Sequence, residues 1–476
     1  MDYEAVIGLE IHVELKTKSK MFSSAPNRFS HSPNTQVAVY DMAFPGAMPT
    51  LNKAAVIHGI RVAAALHMEI DPLLRFDRKN YFYPDLPKGF QITQHFHPLG
   101  KDGYLDIRDS QGKMKRIGIE RAHLEEDTCK QTHFADYTLL DYNRAGVPLL
   151  EIVSKPDIRD GKEAMRFVEA IRNIVVYALA SDGKMEEGSL RCDVNVSLRP
   201  MGKQELGTKV EIKNLNSLKN IETAVEWEIK RQRDILSTGG TIRQQTRRYE
   251  ESKGETVLMR EKDSDKDYKY FPEPNLVPVA LSSQFVQDAI ATCPELYEAK
   301  KTRYLAAGVS PNDADVILSK LSHALYFDQA LGDGKQAKTL GNLFVGEVNS
   351  YLNRHGIDIE SFPIAPNALR ALAKTREFGY THKQVSEMFQ YCVEHPSSTP
   401  EDAAQALGLE RQSDETSQIL PIVAKILDAN PQSIADYKAG KDRALGFLVG
   451  QTLKEGKGKL NPGTVAKIVA EELGKR

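Results

Sequence analysis

The residues best suited to chemistry appear first in an alternating stretch near the N-terminus, VIGLEIHVEL at positions 6–15. Apolar residues alternate there with Glu10, His12 and Glu14. Because successive side chains of a strand point to opposite faces, the pattern predicts a β-strand with one buried face and one face that carries carboxylates and an imidazole. Such a face is either solvated surface or the beginning of a metal site, and the strand alone leaves both interpretations open.

Further acids recur in other segments of the N-terminal half. They are Glu125, Glu126 and Asp127 in HLEEDTCK, Glu151 in VPLLEIV, and Glu186, Glu187 and Asp193 in KMEEGSLRCDVN. Acids on several strands, interleaved with Arg and Lys, suit Mg²⁺ held by carboxylates with phosphate oxygens completing its coordination. This pattern predicts a metal-phosphate site, with a solvated sheet face as the alternative.

Lys79 could contribute a positive charge to such a site. It lies in RKNYFYPD at 78–85, with Tyr81 and Tyr83 on the same predicted strand face. A lysine beside stacking rings can bind a phosphate and a base, although an amphipathic strand with tyrosines at its rim explains the pattern equally well.

The familiar nucleotide-binding and nucleophile signatures are absent from the sequence. It contains no G-x-x-x-x-G-K-[ST], no G-x-G-x-x-G after a strand and no G-x-S-x-G. These motifs cradle phosphates or present a catalytic serine. A chain that uses ATP without them must bind its phosphates through a metal and scattered basic residues.

The elements that position these residues change in character along the chain. Strand patterns include 188–200 and 207–216, a predicted antiparallel hairpin, with 78–85 and 147–157; helix patterns cover 53–68, 160–180 and 217–236. Ser217 is the predicted N-cap of the last helix. From about residue 293 the patterns are helical, and from about 406 four short helices are predicted. These changes predict an α+β protein with more than one domain.

Composition and charge limit the functional classes. The 476 residues carry a formal net charge of −2, which excludes a global basic field. The four cysteines lie far apart, which favours a reducing compartment over a disulfide framework. The N-terminus does not have the pattern of a signal peptide, and no apolar run approaches the ~20 residues that cross a bilayer. We therefore expect a cytoplasmic protein.

A basic surface is predicted locally, at the C-terminal end. Residues 401–437 carry 2 basic and 7 acidic side chains, whereas residues 438–476 carry 9 basic and 4 acidic ones. The segment LKEGKGKLN places Lys454, Lys457 and Lys459 in a glycine-rich loop, where they can approach a polyanion. A phosphate backbone is a reasonable partner, with a solubilising helix pair as the alternative.

Long sequence blocks resemble one known family. They are VIGLEIHVEL, FDRKNYFYPDLPKGFQITQ, HLEEDTCK, DYNRAGVPLLEIVSKPD, SDGKMEEGSLRCDVNVSLRP, GTKVEIKNLNS, MREKDSDKDYKYFPEPNL and LGFLVGQTLKEGKGKLNPGTVAKIV. The blocks are collinear with the B subunit of the bacterial tRNA-dependent amidotransferases and span the whole chain. The resemblance implies a large antiparallel-sheet catalytic cradle at 1–292, an all-α domain at 293–405 and a small all-α tail at 406–476 that contacts tRNA.

The resemblance also implies an activity. Members of this family use ATP to phosphorylate the side-chain carboxylate of Glu-tRNA(Gln), of Asp-tRNA(Asn), or of both, and ammonia then displaces the phosphate. By motif match, the implied catalytic and metal-binding residues are Glu10, His12, Glu126 and Glu151, with Glu125 adjacent, and the nucleotide or substrate contacts are Lys79, Ser189 and Asp193. The implied metal is Mg²⁺, for which His12 is a poor ligand because Mg²⁺ prefers oxygen. The alternatives are that the metal is Mn²⁺, or that His12 donates a hydrogen bond to phosphate. Glu14 has no assigned role.

Partners follow from the same resemblance. An amidase-type A subunit would hydrolyse glutamine and supply ammonia, and a small C subunit would complete a heterotrimer. Some family members have paired cysteines after the first strand, but this chain has Ser23 and Ser24 there, so no structural zinc is expected. Two other functions remain open: a tRNA-binding scaffold without chemistry of its own, and a stand-alone ATP-dependent carboxylate–amine ligase.

Overall fold

The computed structural model describes residues 2–261, 268–411, 415–438, 443–456, 460 and 462–475. Its strands are β1 (Tyr3–Glu14), β2 (Glu69–Ile70), β3 (Leu73–Leu74), β4 (Asp77–Asn80), β5 (Phe90–Thr93), β6 (Gly100–Arg108), β7 (Met114–Glu126), β8 (Lys130–His133), β9 (Thr138–Asp141), β10 (Pro148–Ser154), β11 (Leu190–Pro200), β12 (Val210–Lys213), β13 (Gln245–Glu250), β14 (Glu255–Glu261), β15 (Phe271–Pro272) and β16 (Val279–Ala280). All of them lie in the N-terminal part of the chain.

The α-helices follow the same order. They are α1 (Lys53–Ala65), α2 (Gly161–Tyr177), α3 (Leu218–Ser237), α4 (Ser283–Ala291), α5 (Tyr297–Ala307), α6 (Pro311–Leu318), α7 (Leu321–Leu331), α8 (Ala337–Leu343), α9 (Asn349–His355), α10 (Pro366–Lys374), α11 (His382–Glu394), α12 (Pro400–Ala406), α13 (Glu415–Ala429), α14 (Pro431–Lys438), α15 (Arg443–Glu455) and α16 (Pro462–Lys475). A π-helical turn, Phe344–Val348, joins α8 to α9. Short 3-10 turns occupy Ile359–Ser361 and Thr375–Phe378.

Strand β1 lies at the centre of a nine-stranded sheet with the order β14-β13-β12-β11-β1-β10-β7-β6-β2. Its apolar residues Ile7, Leu9, Ile11 and Val13 are almost completely buried on one face. They join one core with apolar residues of α1, α2 and α3, which cover this side of the sheet. The alternation of β1 therefore leaves its polar residues on the opposite, open face.

The predicted α+β class is confirmed, with one correction to the sheet. β11 and β12 form the predicted antiparallel pair, with Val194 opposite Ile212. β12 and β13, however, run parallel. Parallel neighbours need a crossover connection, and α3 supplies it; Ser217 caps this helix by accepting a hydrogen bond from the backbone N–H of Asn220. The sheet is therefore mixed and not wholly antiparallel.

The chain divides into two compact units, Met1–Ala299 and Lys300–Arg476. Among the described residues the second unit is helical, and it ends in the four predicted short helices, α13 to α16. These four helices share a small core of their own, to which Val423, Leu448 and Val469 belong. The finer division at 292 and 405 remains a prediction. No helix in the described part of the chain is long and apolar enough to cross a membrane.

Candidate active site on the open face of the sheet

Three neighbouring strands, β7, β10 and β1, bring polar side chains into one row across the open face. His12 lies opposite Glu151, and Glu151 lies opposite His123. The adjacent residues of β1, Ile11 and Val13, are fully buried, so the alternation turns His12 outward. The row depends on strand pairing, because its three members come from distant parts of the sequence.

His12, Glu125 and Glu151 form what we call the His12 cluster. The Nε2 atom of His12 lies 3.3 Å from Oε2 of Glu151 and 3.9 Å from Oε1 of Glu125. One ligand atom from each residue lies within 4.8 Å of the other two. One imidazole and two carboxylates in this arrangement suit a divalent cation that keeps further coordination positions for phosphate oxygens.

His123 is a member of the site that the sequence analysis missed. Its Nε2 atom lies 3.3 Å from Oε2 of Glu151 and 3.6 Å from Oε2 of Glu125. Its Nδ1 atom is buried and has no hydrogen-bond partner within the described residues. The segment HLEEDTCK could have predicted this position. His123 and Glu125 are two residues apart, and a strand places such residues on the same face.

The two histidines and the two carboxylates of this site stabilise one another's charges. Burial lowers the pKa of an imidazole, but Glu151 and Glu125 outweigh burial and raise the pKa of His123 to about 9. The same two carboxylates raise the pKa of His12. Burial alone would raise the pKa of Glu151, yet the two imidazoles hold that pKa well below its usual range. The imidazoles and the carboxylates therefore favour one another's charged forms.

Glu10 belongs to an adjacent acidic group. Ligand atoms of Glu10, Asp193 and Glu211 lie within 4.8 Å of one another. Burial, followed by the charges of Glu151 and of these acids, raises the pKa of Glu10. Lys213 Nζ contacts Asp193 and lies 3.0 Å from Glu211, so a lysine already neutralises part of this group. Both Glu211 and Lys213 lie in the strand pattern predicted at 207–216, which gave them no role.

Glu126 lies away from the His12 cluster. Lys88 Nζ lies 2.5 Å and 2.6 Å from its two carboxylate oxygens, and the backbone N–H of Ile92 donates to Oε1 at 3.0 Å. Glu125, the preceding residue, points to the cluster instead. Neighbours on an extended strand project to opposite faces, which explains why the two acids separate.

The three predicted nucleotide or substrate contacts have different surroundings. Lys79 on β4 has a raised pKa because Glu125, Tyr270 and Glu151 outweigh its burial, so its ammonium group belongs to the electrostatics of the His12 cluster. Asp193 lies in the acidic group around Glu10. Ser189 is held locally: its hydroxyl contacts Asp182 and donates to the carbonyl of Lys184 at 3.1 Å.

Glu14 lies further along β1 and belongs to neither metal-type group. Burial and the charge of Asp127 raise its pKa to about 7, against the opposing charges of Arg191 and Arg144. Arg191 Nη2 donates to Asp127 Oδ2 at 2.7 Å. This end of the site therefore contains a balanced set of acids and guanidinium groups.

Of the three predicted tRNA-binding lysines, one lies within the described residues. Lys454 is exposed, but it lies in the last turn of α15 and not in the predicted loop. Lys457 and Lys459 lie outside the described residues. Their role stays a prediction from the sequence.

The fold and site define a class: α+β proteins in which a large sheet presents acids and imidazoles on an open face without a phosphate-binding loop. Two family models match the chain, a GatB/GatE catalytic domain over residues 5–287 and a GatB domain over residues 325–473. The first match contains the whole row of site residues. The chain belongs to the GatB/GatE family.

Curated relatives agree with this assignment along the whole chain. The B subunit of the aspartyl/glutamyl-tRNA(Asn/Gln) amidotransferase of Geobacillus kaustophilus is 47% identical over 479 residues, which cover 100% of both chains. The proteins of the same name from Geobacillus thermodenitrificans and Bacillus thuringiensis are also 47% identical, again with 100% of both chains covered. The resemblance drawn from the sequence blocks is confirmed.

Proposed function

We propose that this chain uses ATP to phosphorylate the side-chain carboxylate of a mischarged aminoacyl-tRNA, which ammonia then converts to an amide. As a member of its family, the chain is a tRNA-dependent amidotransferase subunit, a ligase-type, ATP-using component of protein biosynthesis. The names of its relatives support Glu-tRNA(Gln) and Asp-tRNA(Asn) as substrates. The observation that carries the proposed chemistry is the His12 cluster, within the part of the chain that matches the catalytic-domain model.

The chemistry proceeds in two steps. A carboxylate oxygen of the aminoacyl group attacks the γ-phosphorus of ATP, the bond to the bridging oxygen breaks, and ADP leaves. Ammonia adds to the carbonyl carbon of the acyl phosphate, loses a proton and expels inorganic phosphate. The first step is needed because a carboxylate has no adequate leaving group, and it requires mainly positioning and neutralisation of charge.

The residues of the His12 cluster fit the metal that this step implies. We propose that His12, Glu125 and Glu151 hold Mg²⁺ or Mn²⁺, and the imidazole favours Mn²⁺ of the two. The ion would neutralise charge on phosphate oxygens. His123 would position Glu125 and Glu151 through its contacts with both carboxylates. Lys79 would add a further cation for phosphate or carboxylate oxygens.

Metal binding is expected to release protons. The neighbouring carboxylates raise the pKa of His12 and of His123 and so favour the protonated imidazoles, whereas coordination requires a neutral imidazole. Apparent Mn²⁺ affinity should therefore rise with pH, and binding of the ion should release protons. Calorimetric titrations in two buffers of different ionisation enthalpy measure this release.

The matched control for proton release is His12→Gln, which should bind Mn²⁺ more weakly and release fewer protons. His123→Gln should retain more binding than His12→Gln, since His123 is proposed to position the carboxylates. An affinity that is independent of pH in the unsubstituted protein would contradict the assignment of the cluster.

The ammonia is proposed to come from a separate amidase-type A subunit, with a small C subunit completing a heterotrimer. The relatives are named as B subunits, which supports a multi-subunit enzyme. The chain's own thiols are poor candidates for glutamine hydrolysis, because burial raises the pKa of Cys129 to about 11 and also raises that of Cys192. Cys293 and Cys392 show the same direction and cause.

The assembled complex provides the test of the whole proposal. It is incubated with ATP, glutamine and either Glu-tRNA(Gln) or Asp-tRNA(Asn), and the aminoacyl product is identified after deacylation. ATP-dependent amidation of at least one substrate is expected. Amidation of neither substrate, or equal amidation without ATP, would reject the proposed function.

The basic tail loop, together with Lys454 at the end of α15, is expected to contribute to tRNA affinity. Replacing Lys454, Lys457 and Lys459 together by alanine should weaken tRNA binding and reduce the slope of log affinity against log salt, by roughly one for each phosphate that is no longer neutralised. Filter binding of tRNA to the complex across a salt series measures both quantities.

A matched control for the tail variant removes the same charge elsewhere. Lys335, Lys338 and Lys383 are exposed lysines of the helical unit, and their triple alanine variant should leave the salt slope nearly unchanged. Equal slopes for the tail variant and the unsubstituted protein would exclude the tail loop as a phosphate contact.

A further inference from the structure

A row of aromatic rings lies beside the proposed catalytic face. We call the set Tyr81, His95, Phe96, Tyr268 and Tyr270 the aromatic wall. At its centre the rings of His95 and Tyr270 stack with centroids 3.8 Å apart and an interplanar angle of 8°. Phe96 meets His95 edge-on at 4.8 Å, and the row continues from Tyr270 through Tyr268 to Tyr81 at 6.3 and 5.8 Å.

The aromatic wall is fixed to its place by buried polar contacts. The carboxylate of Asp77, which is 2% exposed, accepts hydrogen bonds from the backbone N–H groups of His95 and Phe96 at 2.8 and 3.0 Å. Nearby, Arg78 makes a bidentate pair with Glu273 at 2.6 and 3.0 Å. These contacts hold the backbone under the rings, so a ligand that stacks there loses little affinity to ordering of the protein.

Two connections join the aromatic wall to the His12 cluster. Lys79 Nζ lies 5.0 Å from the ring centre of Tyr268, and the charges of Glu125 and Glu151 act on the same ammonium group. On β5, the Thr93 hydroxyl donates to Oε2 of Glu125 at 3.3 Å. A group held by the wall would therefore lie on the same side of the protein as the proposed metal and phosphates.

The rings at the open end of the wall are accessible. His95 is exposed and Phe96 is 50% exposed. Burial and the charge of Arg121 lower the pKa of His95, so its ring is neutral near pH 7 and offers a π face without a charge. Flat, neutral aromatic faces of this kind stack nucleobases, whichever base is presented.

We propose that the aromatic wall stacks an adenine base whose phosphate or ester side extends past Lys79 to the His12 cluster. The inference rests on the proposed function, in which adenine arrives in two forms: as ATP and as the 3′-terminal adenosine of the aminoacyl-tRNA. Both sources offer the same base. Stacking of one base on such rings changes affinity by about 10–100-fold.

The first arm of the test measures ATP. Binding of ATP and of inorganic tripolyphosphate to the assembled complex is compared for the unsubstituted protein, Tyr270→Ala and Tyr270→Phe. If the wall holds the base of ATP, Tyr270→Ala weakens ATP binding by about 10–100-fold, whereas Tyr270→Phe keeps the ring and most of the affinity. Tripolyphosphate, which has no base, should bind all three equally.

The second arm measures the tRNA end. Three RNA minihelices with the acceptor-stem sequence are compared. One ends in CCA, the second ends in CC, and the third carries 2-aminopurine in place of the terminal adenine. If the wall holds this base, CCA binds more tightly than CC, 2-aminopurine fluorescence is quenched on binding, and Tyr270→Ala abolishes both differences. The variants His95→Ala and His95→Phe repeat both arms, so that misfolding of one variant does not decide the result.

A loss in either arm that alanine causes and phenylalanine does not supports the adenine site and identifies its source. Unchanged affinities in both arms, for both alanine variants in folded form, overturn the proposal. Neither arm requires turnover. A complex that fails to amidate aminoacyl-tRNA but loses base binding in Tyr270→Ala would therefore reject the proposed function while retaining the adenine site.

Discussion

Replacing Glu151 by glutamine is expected to reduce ATP-dependent phosphorylation of the aminoacyl group by roughly 10²–10³-fold or more while leaving tRNA affinity nearly unchanged. Glu151 is the carboxylate that both histidines of the site contact, at 3.3 Å each. The neutral amide keeps the shape of the side chain but removes the charge that would hold the metal. The tRNA contacts proposed for the tail do not involve this residue.

The measurement is single-turnover transfer of the γ-phosphate from labelled ATP to Glu-tRNA(Gln), with the assembled complex and without an ammonia source. Glu120→Gln is the matched control, because Glu120 is an exposed acid of β7. Glu10→Gln is expected to impair transfer as well, through the adjacent acidic group. Normal phosphoryl transfer by a folded Glu151→Gln variant would remove this residue from the proposed metal site.

Replacing Glu126 by glutamine is expected to destabilise the sheet unit by about 3–5 kcal/mol. The side chains of Lys88 and Glu126 are 8% and 3% exposed, and the substitution leaves the lysine buried without its carboxylate. Urea unfolding followed by circular dichroism measures the loss in free energy of unfolding. Mn²⁺ binding to the folded variant should persist, because Glu126 lies apart from the His12 cluster.

The double variant Lys88→Met with Glu126→Leu tests the cause of this loss. Removing both charges avoids an unpaired buried ion, so the double variant should be more stable than Glu126→Gln alone. Two outcomes would contradict this account: a Glu126→Gln variant as stable as the unsubstituted protein, or one that folds normally but no longer binds Mn²⁺. The second outcome would instead support Glu126 as a metal ligand, as the family resemblance implies.

Much of the fold follows from local patterns in the sequence. The alternation in VIGLEIHVEL predicted β1 and its buried face, and the helix patterns at 53–68 and 160–180 correspond to α1 and α2. These predictions succeed because a periodicity of two or 3.6 residues depends only on neighbouring residues. The parallel pairing of β12 with β13 depends on where α3 returns the chain, and no local pattern encodes that.

For the site, the sequence by itself determined which side chains of β1 leave the core: Glu10, His12 and Glu14 share a face because the period of a strand is two. The resemblance added Glu125, Glu126 and Glu151 as candidate partners. Only the tertiary structure shows which of them lie at His12, because the register of β1, β10 and β7 brings Glu151 and Glu125 there. The alternation within β7 turns Glu126 away toward Lys88.

The tertiary structure also separated residues that the sequence grouped together. Glu10 and His12 are neighbours on one strand face, yet Glu10 belongs to the acidic group with Asp193 and Glu211. His123 entered the site because β7 pairs with β10 in a register that places it opposite Glu151. A sequence fixes the face on which a side chain lies, whereas its partners across the sheet depend on strand order and register, which only long-range pairing establishes.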